Sequence, residues 1–71
     1  MTDKKYLEKL GQQIAKIRKE KGFTQVEFAD KLDMNRSALA KIEIGRVNPQ
    51  IITLKRIADG LEISVSELVD F

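Results

Sequence analysis

Arg36, Ser37 and Lys41 bring a guanidinium, a hydroxyl and an ammonium into one short stretch of chain. Such groups do the chemistry of recognition: Arg and Lys donate to the acceptors of a guanine edge, and Ser pairs with a donor or an acceptor. Whether they act together depends on which way they point. At 100° per helical residue, with Arg36 as zero, Ala40, Ile44, Ser37 and Lys41 fall at roughly 40°, 80°, 100° and 140°, whereas Ala38, Ile42 and Leu39 fall at roughly 200°, 240° and 300°. The second group is expected to be the core side. The first surrounds the small Ala40 with polar groups, which would let a helix backbone lie close against a surface such as the major groove of duplex DNA. An ordinary solvated face fits the same pattern.

Other chemistry is poorly supplied. The 71-residue chain has no Cys and no His, so it lacks a thiol nucleophile, a thiolate cluster, and the commonest general base and metal ligand. No Gly-rich phosphate cradle or convergent carboxylate cluster replaces them. The expectation is a protein that is not an enzyme, with no catalytic, cofactor or metal site and no small-molecule ligand. No apolar run approaches the roughly 20 residues needed to span a bilayer, so a cytoplasmic protein without a membrane partner is expected. The net charge of +2 is unevenly spread: +4 over residues 1–22, 0 over 23–48 and −2 over 49–71. A basic N-terminal part suits a polyanion, although a solvated helix rich in Lys and Glu gives similar counts.

The elements that must position the polar face are helices. Leu7, Leu10, Ile14 and Ile17 recur at helical spacing and Gly22 follows as a stop, which predicts a first helix over 4–21. Thr24 and Glu27 form a capping box for a second helix over 25–32, with Phe28, Ala29 and Leu32 inward. Asn35 is an N-cap for a third over 36–44, closed by Gly45. Asn48-Pro49 marks a turn before a fourth helix over 50–60, whose inward residues are Ile51, Leu54, Ile57, Ala58 and Leu61. Ser64 and Glu67 cap a short fifth helix over 65–70 carrying Leu68. The expected fold is all-α, with five helices in one domain over 1–71 and no strand.

Two short helices joined by a tight turn form a helix-turn-helix. The ordered run Phe23-Thr24-Gln25, Phe28-Ala29, Lys31-Leu32, Arg36-Ser37, Leu39, Ile42-Glu43 and Gly45, then Pro49, Thr53-Leu54 and Ile57-Ala58, resembles the Cro and lambda-repressor-like family, also called the Xre family. The resemblance covers residues 7 to 69. It implies that the second and third helices read double-stranded DNA, the third from within the major groove. Arg36, Ser37 and Lys41 match the family's base-reading positions, with Asn35 and Ala40 beside them. Gln25, after the capping Thr24, matches a glutamine that contacts a phosphate and braces the reading helix. Arg46 and Asn48 match the loop that touches the DNA backbone, where turn formation is a compatible second role. Arg18 and Glu43 match an internal ion pair; two separately solvated charges are the alternative.

Three features depart from the family pattern. Asp33 stands where the turn usually has Gly, which costs strain if the position is left-handed. Gly60 stands where the fourth helix usually has a better helix former, and weakens it by about 1 kcal/mol relative to Ala. Arg36, Ser37 and Lys41 replace common glutamines, so an operator cannot be borrowed from relatives.

Val65, Val69 and Phe71 are surplus apolar residues near the C-terminus, and Ile52 lies off the fourth helix's inward stripe. These four are expected to form the interface of a homodimer on a palindromic site, its reading helices about 34 Å apart. Such a protein resembles a phage-type repressor, an antitoxin autoregulator or the controller of a restriction–modification operon. The rival expectation is a protein-interaction module in which the apolar surface holds a partner and DNA contact is secondary.

Overall fold

The computed structural model describes residues 1–71 and contains five helices and no strand: α1 (Asp3–Glu20), α2 (Gln25–Lys31), α3 (Arg36–Glu43), α4 (Ile51–Leu61) and α5 (Val65–Leu68). Four of the five helix starts are fixed by a local side-chain cap. Thr2, Thr24, Asn35 and Ser64 accept a backbone N–H of the first turn through their side chains, and complete capping boxes form at Thr24–Glu27 and Ser64–Glu67. The Thr24 backbone N–H, then its hydroxyl, hold the Glu27 carboxyl below its ordinary value. The box is therefore intact at neutral pH and weakens as pH falls through that lowered value.

The first four helices stop in one way. A left-handed residue follows each of them, at Gly22, Asp33, Gly45 and Glu62. The next residue's N–H then reaches back to a carbonyl five positions earlier: Phe23 to Arg18, Met34 to Ala29, Arg46 to Lys41 and Ile63 to Ala58. Each stop is thus a Schellman closure. Its accompanying apolar contact is present three times, because Phe23, Met34 and Ile63 pack against the core. Arg46 is the exposed exception.

Leu10, Ile14, Phe28, Leu39, Ile57, Leu61 and Leu68 form the centre of a single core drawn from all five helices. Two glycines allow α1 and α3 to cross closely. A Cβ on Gly11 would run into the carbonyl oxygens of Ile42 and Glu43, and one on Gly45 would lie 2.7 Å from the Glu8 Cα. Lys31 adds a link between α2 and α4: its ammonium donates to the Gly60 carbonyl at 2.8 Å and lies 4.9 Å from the centre of the Phe23 ring.

Three expectations need correction. Ile51 is 67% exposed because helical side chains lean toward the N-terminus, carrying this first-turn residue past the helices that cover Leu54 and Ile57. Ala38 is exposed and Ala40 half-buried, because Glu43 occupies part of the inward face beside Leu39 and Ile42 and rolls α3 accordingly. Gly60 is more than a weak helix former: it is buried, and a Cβ there would meet Leu32 Cδ2 at 2.7 Å and the Phe28 ring at 3.2 Å. Its missing side chain makes room for Phe28 of α2 and for Leu32, which follows that helix.

Stability should follow this backbone pattern. Glu62→Gly removes the side-chain penalty at φ 61° and is expected to stabilise the fold by about 1 kcal/mol. Gly45→Ala places a Cβ both at φ 78° and against Glu8, and is expected to cost more than that. Urea unfolding followed by circular dichroism checks both signs.

Candidate nucleic-acid interface

The surface begins with two caps that set two helix starts. Thr24 fixes α2, so that Gln25, its first residue, lies half-buried with its side chain directed at α3. The Gln25 Nε2 donates to Glu43 Oε1 at 2.9 Å. Asn35 fixes α3 by accepting the Ser37 N–H at 2.8 Å, and the Ser37 hydroxyl donates to the same oxygen at 2.6 Å.

Beneath this surface is a charged network. Arg18 Nε and Nη2 donate to Glu43 Oε2 and Oε1 at 2.7 and 3.0 Å, a bidentate pair with both side chains buried. Arg18 Nη1 donates to the Phe23 carbonyl at 2.8 Å. One guanidinium therefore joins α1, the α1–α2 turn and α3, while the carboxylate it holds also receives α2 through Gln25. No buried side-chain polar atom lacks a partner, the condition under which a buried ion pair can be tolerated. With Glu43 neutralised internally, its negative charge is withdrawn from the outward face of α3.

Arg36, Ser37 and Lys41 lie exposed on that outward face, with Asn35 at its start. Neither Arg36, Lys41 nor Arg46 has a carboxylate within 4.0 Å; the ion pairs present are Arg18–Glu43 and the exposed Lys55–Asp59. Arg46 and Asn48 are exposed in the loop after α3. A shallow cavity of about 310 Å³ runs between α3 and the start of α4, with Ser37, Ala38, Lys41, Val47, Pro49 and Thr53 among its walls. Its apolar part includes the exposed Ala38. Its polar part includes Ser37 and Lys41, so the face is concave toward α4 rather than flat.

The C-terminal apolar residues are divided. Val65 and Val69 pack half-buried against the core, and Phe71 packs on Tyr6 with ring centres 5.1 Å apart and planes tilted by 53°. Gln13 donates to the Asp70 carbonyl at 3.4 Å, holding this end against α1. Ile52 is 62% exposed beside Ile51 at the start of α4. Of the four residues assigned to an interface, Val65 and Val69 are thus partly committed to the core and Phe71 to Tyr6, while Ile52 is exposed.

Two contributors were not singled out by sequence reasoning. Gly11 admits the backbone of α3's last turn; its signal was an isolated glycine inside an amphipathic helix, which marks close approach. Phe23 supplies the carbonyl that completes the hydrogen bonding of Arg18, and no side-chain pattern announces a backbone acceptor. No group of three or more His, Cys, Asp or Glu residues is placed to hold a metal ion, and no helix is long and apolar enough to cross a membrane.

Comparison with known proteins agrees with this geometry. A family model described as Helix-turn-helix matches residues 14–68. The chain is 48% identical over 60 residues to an immunity repressor protein of Bacillus phage phi105, covering 84% of this chain but 42% of that protein. It is 38% identical over 61 residues to the control protein C.MunI of a Mycoplasma species, covering 84% of this chain and 82% of the relative. Among solved structures it is similar to the restriction-modification controller protein C.AhdI of Aeromonas hydrophila, with a TM-score of 0.84, 31% identity, and coverage of 87% of this chain and 94% of that one. The chain therefore spans less than half the length of the phage repressor and most of the length of the two controllers.

The buried network makes a strong claim on stability. Arg18→Leu or Glu43→Leu alone leaves one uncompensated buried charge and is expected to cost about 3–5 kcal/mol. The double substitution should recover most of that loss, and a urea-unfolding double-mutant cycle measures the coupling. Equal, additive losses in the cycle would mean that the two charges do not depend on each other.

Proposed function

The chain belongs to the helix-turn-helix family HTH_3, the Cro and lambda-repressor-like group, and on that premise we propose that it is a cytoplasmic, sequence-specific regulator of transcription that inserts α3 into the major groove of double-stranded DNA. The observation that carries this reading is the outward face of α3. Arg36, Ser37 and Lys41 stand there exposed and without carboxylate partners, while the acid of the same helix is paired on its inward side.

Bases would be read by Arg36, Ser37 and Lys41, with Asn35 at the helix start and Ala40 keeping the centre of the helix small. Thr24, Gln25, Arg46 and Asn48 would meet the sugar–phosphate backbone and set register. Arg46 is suited to that work because the Schellman closure directs the following chain outward at the one stop where an apolar anchor is replaced by a guanidinium. Gln25 combines bracing with contact: one amide hydrogen holds Glu43, and the other remains for a phosphate.

The repressor and controller relatives are the models for the regulatory role, and the folded unit over 1–71 would work as a homodimer on a palindromic operator. Ile52 is the freest of the four residues assigned to the interface, and the exposed Ile51 extends it. Val65, Val69 and Phe71 would contribute through their solvent-facing portions.

Selection of bound duplexes from a random pool tests the reading. Wild type is expected to enrich a two-fold symmetric motif with half-sites about 10 base pairs apart, and the Arg36→Ala, Lys41→Ala pair to lose it. Enrichment of nothing by folded wild type would sink the proposal. For the enriched duplex, log affinity should fall linearly with log salt, by about 0.9 per phosphate neutralised; a flat response would remove the backbone roles of Arg46 and Gln25.

A further inference from the structure

Resting on the reading of α3 as the DNA-reading helix, we propose that Asn35 and Ser37 form one composite recognition unit of fixed polarity, in which the Asn35 amide nitrogen donates, the Ser37 oxygen only accepts, and the base edge selected is that of adenine. The polarity follows from two hydrogen bonds. Asn35 Oδ1 is 2.8 Å from the Ser37 backbone nitrogen. A backbone N–H can only donate, so the carboxamide oxygen must face the helix and its nitrogen must face away. The Ser37 hydroxyl lies 2.6 Å from that same oxygen. An amide oxygen carries no proton, so the hydroxyl is the donor and its single hydrogen is committed within the protein.

What remains for a ligand is the complement. Ser37 Oγ keeps lone pairs and can receive a hydrogen bond but has none to give. Asn35 Nδ2 has two hydrogens and makes no hydrogen bond of its own within the protein, since the Asn35 side chain bonds only through its oxygen. Both residues are exposed at the start of α3, the part of a recognition helix that meets base edges. In the major groove adenine offers an acceptor, N7, beside a donor, the N6 amino group. Guanine offers two acceptors, and thymine an acceptor with a methyl group. Either would set an acceptor against the Ser37 oxygen. Cytosine offers only a donor, so a G·C pair could match the unit only across both of its bases, with guanine O6 taking the Asn35 amide, whereas adenine supplies the donor and the acceptor alone.

The same geometry removes Asn35 as an independent bidentate reader. A lone asparagine holds adenine through its own oxygen and nitrogen, but here the oxygen caps α3. Ser37 supplies the missing acceptor, so two side chains do what one does elsewhere.

The test compares duplexes selected from a random pool by wild type, Ser37→Ala and Asn35→Asp, with helicity and thermal midpoint measured on each protein. Asn35→Asp keeps the capping oxygen and removes the amide hydrogens. The expected result is one adenine per half-site whose preference falls about tenfold in both variants, while the remaining positions of the motif persist. The proposal is overturned if the Ser37-dependent position is a G·C pair, if the two variants affect different positions, or if neither changes any preference. Failure of the underlying reading looks different, since wild type would then enrich no motif at all.

Discussion

Removing a carboxylate and a guanidinium from water costs several kcal/mol for each ion, and the cost is met only when geometry and hydrogen bonding are both good. Arg18 and Glu43 meet it with two short bonds between them and further bonds to the Phe23 carbonyl and Gln25. Because these partners come from three helices and a turn, the pair fixes how the helices roll against one another. Glu43 in particular takes an inward position on α3 that an apolar residue could have taken, and the outward face is set by that choice. The small residues around it serve the same end: Gly11 brings the backbone of α1 onto the last turn of α3, and Gly45 ends that turn with no Cβ to collide with the closely packed Glu8.

The rest of the framework is built from local devices. Side-chain caps begin four helices and left-handed stops end four. These features involve residues within about one helical turn, so the chain encodes them in short words, and most could be read directly: Thr24 with Glu27, Ser64 with Glu67, Asn35 before Arg36, Gly22 and Gly45. Asp33 was legible as a strained stop. Glu62 was not, because a long acidic side chain carries no preference for the left-handed region and its conformation follows from the closure of Ile63 onto Ala58.

The features that escaped periodicity all depend on a second element. Ala38 and Ile51 have inward angles on an ideal helix yet face solvent, since a helical wheel has no knowledge of where the neighbouring helices end. Gly60 reads as a defect in isolation and as a fitted space once Leu32 and Phe28 are placed against it. At the candidate recognition surface, residue types point to Arg36, Ser37 and Lys41, but the direction of the Ser37 hydroxyl depends on Asn35, two residues away and committed to the helix cap. Chemical type was therefore legible and proton direction was not.

Arg36 and Lys41 form no ion pair or hydrogen bond with another helix, and the side chains of Asn35 and Ser37 bond only within that pair of residues. The framework is tied together on the opposite side of α3, through Leu39, Ile42 and Glu43. Under the proposed reading, exchange of Arg36 or Lys41 is consequently separable from fold stability, because distant sites without shared partners vary nearly independently, whereas Asn35 also caps α3. If α3 reads DNA as proposed, a lineage can exchange Arg36 and Lys41 one at a time, drifting from one genomic address to another, while the scaffold that presents them passes unchanged to its descendants.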